Sequence, residues 1–310
     1  MRYIFLLDQF KDAVAHGHLY PRWLPELCGG YGYPMFVFYQ PGFFYFALPF
    51  SFLPGYPLVT LHWVLLTLLF IGAAGAYLLG REISDKVTGF FCAILFLLTP
   101  YLYVNLYVRG DLSELMAMLL SPWPLFFLVR FRKNIEAGKS VQWCGLGIAL
   151  SLGLVILSHP ATTLFYIPVF CILSVCTAPG LIRSKGRFLA GIFCLVAVAF
   201  LLTSPYWLPL VFMKKYVNFA SAVTGPYSAP LHTVDFLQFF KRGWGFGVST
   251  PGNGNDLMSF QLGLPHFILA TAGFILGRKN KLIAASYLAL PTTVRMQLYK
   301  PAISTISSFC

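Results

Sequence analysis

Charge is scarce in this chain. Only 10% of its 310 residues are Asp, Glu, Lys or Arg, against about 25% in soluble domains. With 58% hydrophobic residues and a mean hydropathy of +0.73, it has too few charges to cover a water-facing surface. That excludes the ordinary soluble class and leaves the membrane class. Acids are scarcer than bases, ten against 22, for a formal net charge of +12. The bases do not point to nucleic acid. They sit in short clusters between apolar runs, the pattern of cytoplasmic membrane loops.

Familiar chemical motifs are missing as well. There is no P-loop, HExxH, GxSxG or paired CxxC, which argues against ATP-driven transport and common hydrolytic chemistry. The seven cysteines show no metal spacing. No Asn-x-Ser/Thr sequon occurs.

What the chain does have is aromatic residues, 17% of the total, concentrated early. From Tyr20-Pro21-Arg22-Trp23-Leu24-Pro25 to Tyr39-Gln40-Pro41, Pro, Gly and aromatics surround one arginine. Such a run cannot be a regular helix or strand, so it reads as an ordered loop. Before it, residues 3–17 place Ile4, Leu7, Phe10 and Val14 on one face, predicting a short amphipathic helix at the surface. Tyr3 to Leu7 is too short for a signal-peptide core. Nothing here directs the first loop across a membrane, so a further apolar helix is expected ahead of Met1. Gln40 to Leu53 is too short to span and reads as an interfacial or re-entrant helix.

The expected fold is all-α: a polytopic transmembrane bundle of about seven spans with interfacial helices. Residues 1–56 form a first outer loop and 57–213 a six-span bundle. Residues 214–258 form a second outer loop, 259–281 a seventh span, and 282–310 a tail without clear structure signals. The six spans are Pro57–Gly80, Val87–Val108, Asp111–Val129, two in the charge-free stretch 140–182 with a turn at Ser158-His159-Pro160, and Phe188–Met213. Alternating them places the basic clusters at 81–86, 130–139, 183–187 and 278–281 on one side, as the positive-inside bias requires. The other side receives the remaining acids, Asp8, Asp12, Glu26, Asp111, Glu114, Asp235 and Asp256.

Chemistry is then sought on that second side. Asp111 and Glu114 open a helix, where carboxylates favour the dipole. One reading is capping with an Arg109 ion pair. The other has Arg109 hold a phosphate while an acid serves as base or metal ligand. His159 either caps a turn or offers its imidazole to a phosphate. Arg22 and Trp23 either anchor at the interface, or clamp a phosphate or stack on a sugar-bearing ligand. Tyr33 and Tyr39 are candidates for substrate contact or for packing. The Gly-rich run at 243–254 reads as an outer loop or a mobile lid. A divalent metal is left open as a cofactor, without a metal motif to place it.

Taken together these landmarks resemble a known family. Tyr20-Pro21-Arg22-Trp23, the Gly-Tyr-Gly-Tyr-Pro-x-Phe-x-Phe-Tyr-x-Pro run from Gly30 to Pro41, Tyr107-Val108-Arg109-Gly110 with Glu114, and Ser158-His159-Pro160 resemble bacterial integral membrane proteins labelled "6-pyruvoyl-tetrahydropterin synthase-related". These are similar to GT-C glycosyltransferases that use polyprenyl-phosphate sugars, and the resemblance covers residues 5 to 277. It implies a multi-pass protein of the bacterial inner membrane that transfers a sugar to an acceptor on the outer face. Arg22, Trp23, Tyr33, Tyr39, Arg109 and His159 would bind substrate, with Asp111 or Glu114 as the acid. GT-C enzymes place a catalytic acid just after their first helix. Here that position falls at or before Met1, and Asp8 is the nearest acid. The expected partners are the bilayer and the lipid-linked sugar. A lipid or polysaccharide transporter, or a non-catalytic accessory protein, is the alternative.

Overall fold

A computed structural model describes residues 2–55, 57–178, 180, 182–217, 236–241, 243–246 and 258–277. Every regular element among them is helical.

The chain opens with α1 (Arg2–Ala15). A compact loop follows, then two short helices, α2 (Met35–Phe38) and α3 (Gly42–Ala47), and a 3-10 turn, Leu48–Phe52. The first long helix is α4 (Leu58–Ile83), whose 26 residues span about 39 Å at 1.5 Å per residue. Next come α5 (Lys86–Leu97) and α6 (Pro100–Tyr103), the latter running into a π-helical turn, Val104–Arg109. The core helices are α7 (Leu112–Leu120), α8 (Pro122–Glu136), α9 (Gln142–Ser158) and α10 (Pro160–Thr177). Finally come α11 (Ile182–Leu202), α12 (Ser204–Met213) and α13 (Leu264–Gly277).

Among the described residues, four helical stretches are long and apolar enough to cross a membrane: Leu58–Ile83, Leu112–Glu136, Pro160–Thr177 and Lys185–Leu202. A fifth is broken, because Lys86–Leu97 and Pro100–Arg109 meet at a 42° bend. Pro100 accounts for that break, since it lacks an N–H and disfavours helix in the residue before it. Two other segments expected to cross are shorter: α9 has 17 residues and α13 has 14. The expected span to Met213 is interrupted at Thr203, and Pro205 and Pro209 lie in the separate helix α12.

The first core is aromatic. Phe43 and Phe44 are fully buried, and Phe44 packs its ring against Tyr3, Phe10 and Phe36 at centroid distances of 4.9 to 5.9 Å. The pairs are stacked with Tyr3, tilted with Phe10 and edge-on with Phe36, and aromatic pairs add about 0.5–1.5 kcal/mol each beyond area burial. α1 is therefore docked into the protein and not merely laid on its surface. Its buried residues are Tyr3, Leu6, Leu7, Gln9 and Phe10, while Ile4 and Val14 are only partly covered. Gly42 lets α3 reach α9, because a Cβ there would lie 2.6 Å from the Leu157 carbonyl oxygen. A second core joins α8, α9, α10 and α11 through Phe131, Ile148, Leu152, Phe170 and Phe188. Phe70, Phe90, Phe91, Phe193 and Leu201 remain exposed, an apolar surface suited to lipid.

The two ends of the bundle differ in charge. At one end, Lys133 Nζ lies 3.3 Å from Glu82 Oε1, which joins the basic clusters after α4 and at the close of α8. Asp111 opens the same Leu112–Glu136 stretch that Lys133 closes, about 33 Å away along the helix.

Most of the long loop at 214–258, including residues 247–254 of the Gly-rich run, and the tail at 282–310 lie outside the described residues. So does the basic cluster at 278–281.

Candidate functional site

The site begins with a change of helix type. The π-helical turn Val104–Arg109 ends at Gly110, whose φ of 61° is left-handed, a conformation that glycine adopts without Cβ strain. Asp111 then caps α7, its Oδ1 accepting from the Glu114 N–H at 3.0 Å. This reversal folds Arg109 back over the start of α7. Its Nη1 donates to Glu114 Oε2 at 2.6 Å, and to Asn105 Oδ1 and the Tyr101 hydroxyl at 2.7 Å each. The Glu114 side chain is 0% exposed, so its charge needs that guanidinium.

Tyr3 reaches the same helix end across 108 residues of sequence. Its hydroxyl lies 3.2 Å from Asp111 Oδ1 and from Ser113 Oγ, accepts from the Ser113 N–H at 3.1 Å, and sits 2.8 Å from the Tyr39 hydroxyl. The hydroxyl has one proton to give, and a carboxylate is the stronger acceptor. Tyr39 then donates to Tyr3. Burial first, then the nearby Tyr39 and Asp111, pushes the Tyr3 hydroxyl well above the usual phenol range. Burial and Asp111 also raise Tyr39.

His159 arrives from the junction of α9 and α10. It caps α10, its Nδ1 accepting from the Thr162 N–H at 3.2 Å. An accepting Nδ1 leaves the proton of the neutral ring on Nε2. That Nε2 faces Asp111 Oδ2 at 3.9 Å. Arg109 Nη2 faces the same oxygen at 3.6 Å. Both separations exceed hydrogen-bonding distance. Asp111 thus uses Oδ1 for the cap, while Oδ2 stands between a guanidinium and an imidazole.

These groups line a cavity of about 520 Å³. Arg2, Tyr39, Arg109, Asp111 and His159 form its polar part, and Leu61, Leu65 and Leu106 its apolar wall. Arg2 lies over the Tyr39 ring, 5.1 Å from its centroid. The lining suits an anionic headgroup whose chain lies along apolar helices.

Asp111, Glu114 and His159 bring one ligand atom each within 4.8 Å of the others, the spacing of a metal-binding set. Two features work against a cation. Arg109 already places a positive charge on Glu114. His159 would also need its proton on Nδ1 to coordinate through Nε2, which gives up the bond from the Thr162 N–H at 3.2 Å and turns Nδ1–H to the Thr162 hydroxyl at 2.9 Å. The arrangement is that of an arginine–carboxylate network.

The structure divides the expected site residues. Arg109, Asp111, His159 and Tyr39 meet at the cavity, while Glu114 lies beneath Arg109 and off its lining. Arg22 and Trp23 line a different cavity. Tyr33 pairs its backbone with Leu24 at 2.9 Å in both directions and packs against the aromatic core. Sequence reasoning missed Tyr3, Arg2, Tyr101, Asn105 and Ser113. One signal was available: Tyr101, Asn105 and Arg109 recur every four residues in an otherwise apolar stretch. No local pattern announces Tyr3, whose partners lie far along the chain.

Helices of this length and apolarity, with polar groups gathered at their ends, define a multi-pass helical membrane protein. The chain belongs to the 6-pyruvoyl-tetrahydropterin synthase related family of membrane proteins, whose model matches residues 36–309. No curated protein and no solved structure matches it.

Proposed function

We propose that this protein is a GT-C-like glycosyltransferase with seven spans, in a bacterial inner membrane. It transfers a sugar from a polyprenyl-phosphate donor to an acceptor on the extracytoplasmic face. One observation carries the reading: Asp111 lines a cavity together with Arg109, Arg2 and His159, and its Oδ2 lies 3.6 Å from Arg109 Nη2 and 3.9 Å from His159 Nε2. A carboxylate oxygen beside phosphate-binding cations is what sugar transfer from a lipid phosphate requires.

In this mechanism the acceptor hydroxyl oxygen bonds to the anomeric carbon. The bond from that carbon to the phosphate oxygen breaks, and its electron pair stays on the lipid phosphate. The hydroxyl proton passes to Asp111 Oδ2. Arg109 and Arg2 meet the charge that grows on the leaving phosphate, and His159 donates to it from Nε2. Glu114 orients Arg109, and Tyr3 orients Asp111. The lipid chain lies along Leu61, Leu65 and Leu106.

Transporters place their ionisable groups near the bilayer midplane. Here Arg109 and Asp111 sit at a helix end, which favours chemistry at the interface. The test is to incubate the purified full chain with radiolabelled polyprenyl-phosphate sugars and follow free polyprenyl phosphate. Release from at least one donor is expected. If no donor in a broad panel is consumed, the enzyme reading fails.

A further inference from the structure

The second cavity, of about 840 Å³, differs from the first in sign. Asp8, Asp12 and Glu26 line it with Arg22 as the one lysine or arginine, so its lining is acidic where the first is basic. An anionic ligand would be repelled there. A compact metal ion is also a poor fit, because among the described residues the converging metal-type set is Asp111, Glu114 and His159, at the other cavity.

Two buried polar atoms point to a ligand. Gln9 is 8% exposed, its Nε2 donates to Glu26, and its Oε1 has no hydrogen-bond partner among the described residues. The Tyr20 hydroxyl is likewise buried and without a partner among them. Leaving such groups unsatisfied is costly, so a ligand that supplies donors and acceptors would bind well. The same wall holds an aromatic platform. Trp23 packs so closely on Gly32 that a Cβ there would lie 2.4 Å from its Nε1, yet the residue is 55% exposed.

The geometry points to a binding site for an uncharged carbohydrate in this cavity. Hydroxyl groups of the sugar donate to Asp12, Glu26 and Gln9 Oε1. The Tyr20 hydroxyl bonds to the sugar's oxygens. The C–H face of a pyranose ring lies on Trp23. Arg22, which donates to the Pro205 carbonyl at 3.4 Å and stacks 4.9 Å over Tyr20, braces that wall. α1 supplies Arg2 to the first cavity and Asp8 to the second, six residues or about 9 Å apart along its axis. That proximity suits the acceptor of the proposed transfer. The acceptor role rests on the transfer reading, whereas carbohydrate binding does not.

Binding is measured by saturation-transfer NMR on the full chain in lipid nanodiscs, without glycosidic detergent or donor. The probes are maltotriose, cellotriose, mannotriose and chitotriose. At least one trisaccharide is expected to bind, roughly tenfold more weakly to Trp23→Ala, with Trp23→Phe close to the parent. Glu26→Gln should also weaken it, while Asp111→Asn should leave it unchanged. Circular dichroism checks that each variant is folded. No binding by the parent protein overturns the site. So does equal binding by folded Trp23→Ala, or displacement of the sugar by magnesium or calcium through Asp12 and Glu26. Absence of transfer by the parent protein, with its sugar binding intact, would overturn the enzyme reading alone.

Discussion

Tyr3 and Asp111, 108 residues apart, share a hydrogen bond of 3.2 Å that fastens the first helix to the start of α7. Through it the N-terminal segment becomes one wall of the Arg109 cavity. Tyr3→Phe removes that bond and its links to Ser113 and Tyr39 while keeping the ring. A loss of about 1 kcal/mol per hydrogen bond is expected, read as a lower melting temperature of the purified protein. Transfer should slow because Asp111 is less firmly oriented.

The same cluster sets an alkaline limit. Tyr3 and Tyr39 titrate higher in the folded protein than in the unfolded chain. Their contribution is full below the unfolded phenol value of about 10 and declines as pH rises from there toward the folded values. Thermal melts should therefore fall above about pH 10, with a smaller fall in Tyr3→Phe.

Arg109 and Glu114 form the most demanding pair. Arg109→Ala leaves the fully buried Glu114 without its cation, at a cost of roughly 3–5 kcal/mol. Arg109→Leu combined with Glu114→Leu removes both charges and should restore much of that stability without restoring function. A double-mutant cycle of melting temperatures tests this. Equal stability of Arg109→Ala and the parent would contradict the pair's role.

His159 has two separable roles. His159→Ala loses the cap of α10, worth about 1 kcal/mol, together with the Nε2 donor. His159→Asn keeps an oxygen for the Thr162 N–H and loses only the donor. The Asn variant should melt close to the parent and still transfer sugar more slowly. Equal rates for parent and Asn variant would confine His159 to capping.

Gly42 controls how the first loop docks. Any side chain there meets the Leu157 backbone, so Gly42→Val should cost roughly 1–3 kcal/mol and displace α3 from α9. Faster proteolysis of residues 16–41 would report the displacement.

Much of this was legible locally. The apolar run of α4, the turn at His159-Pro160 and the acids that open α7 follow from length, proline placement and helix-end electrostatics. Counting spans put Arg109, Asp111 and His159 on one side, a global inference that needs no contacts. What stayed hidden depends on tertiary packing. Arg22 and Trp23 shared a side with Arg109 by that count, but sidedness does not specify a cavity, and they line another one. The apolar stripe of α1 hid Tyr3, because a tyrosine on an apolar face reads as packing until its hydroxyl meets a carboxylate. The 42° bend before Arg109 was marked only by Pro100.

Asp111 is the residue on which the account turns. The most direct measurement is the rate of free polyprenyl phosphate release by Asp111→Asn beside the parent protein, with both shown to be folded. The amide keeps an oxygen to accept the Glu114 N–H but cannot take a proton from the acceptor. A fall of roughly 10²- to 10⁴-fold with donor binding retained is the predicted result. An unchanged rate would contradict the account.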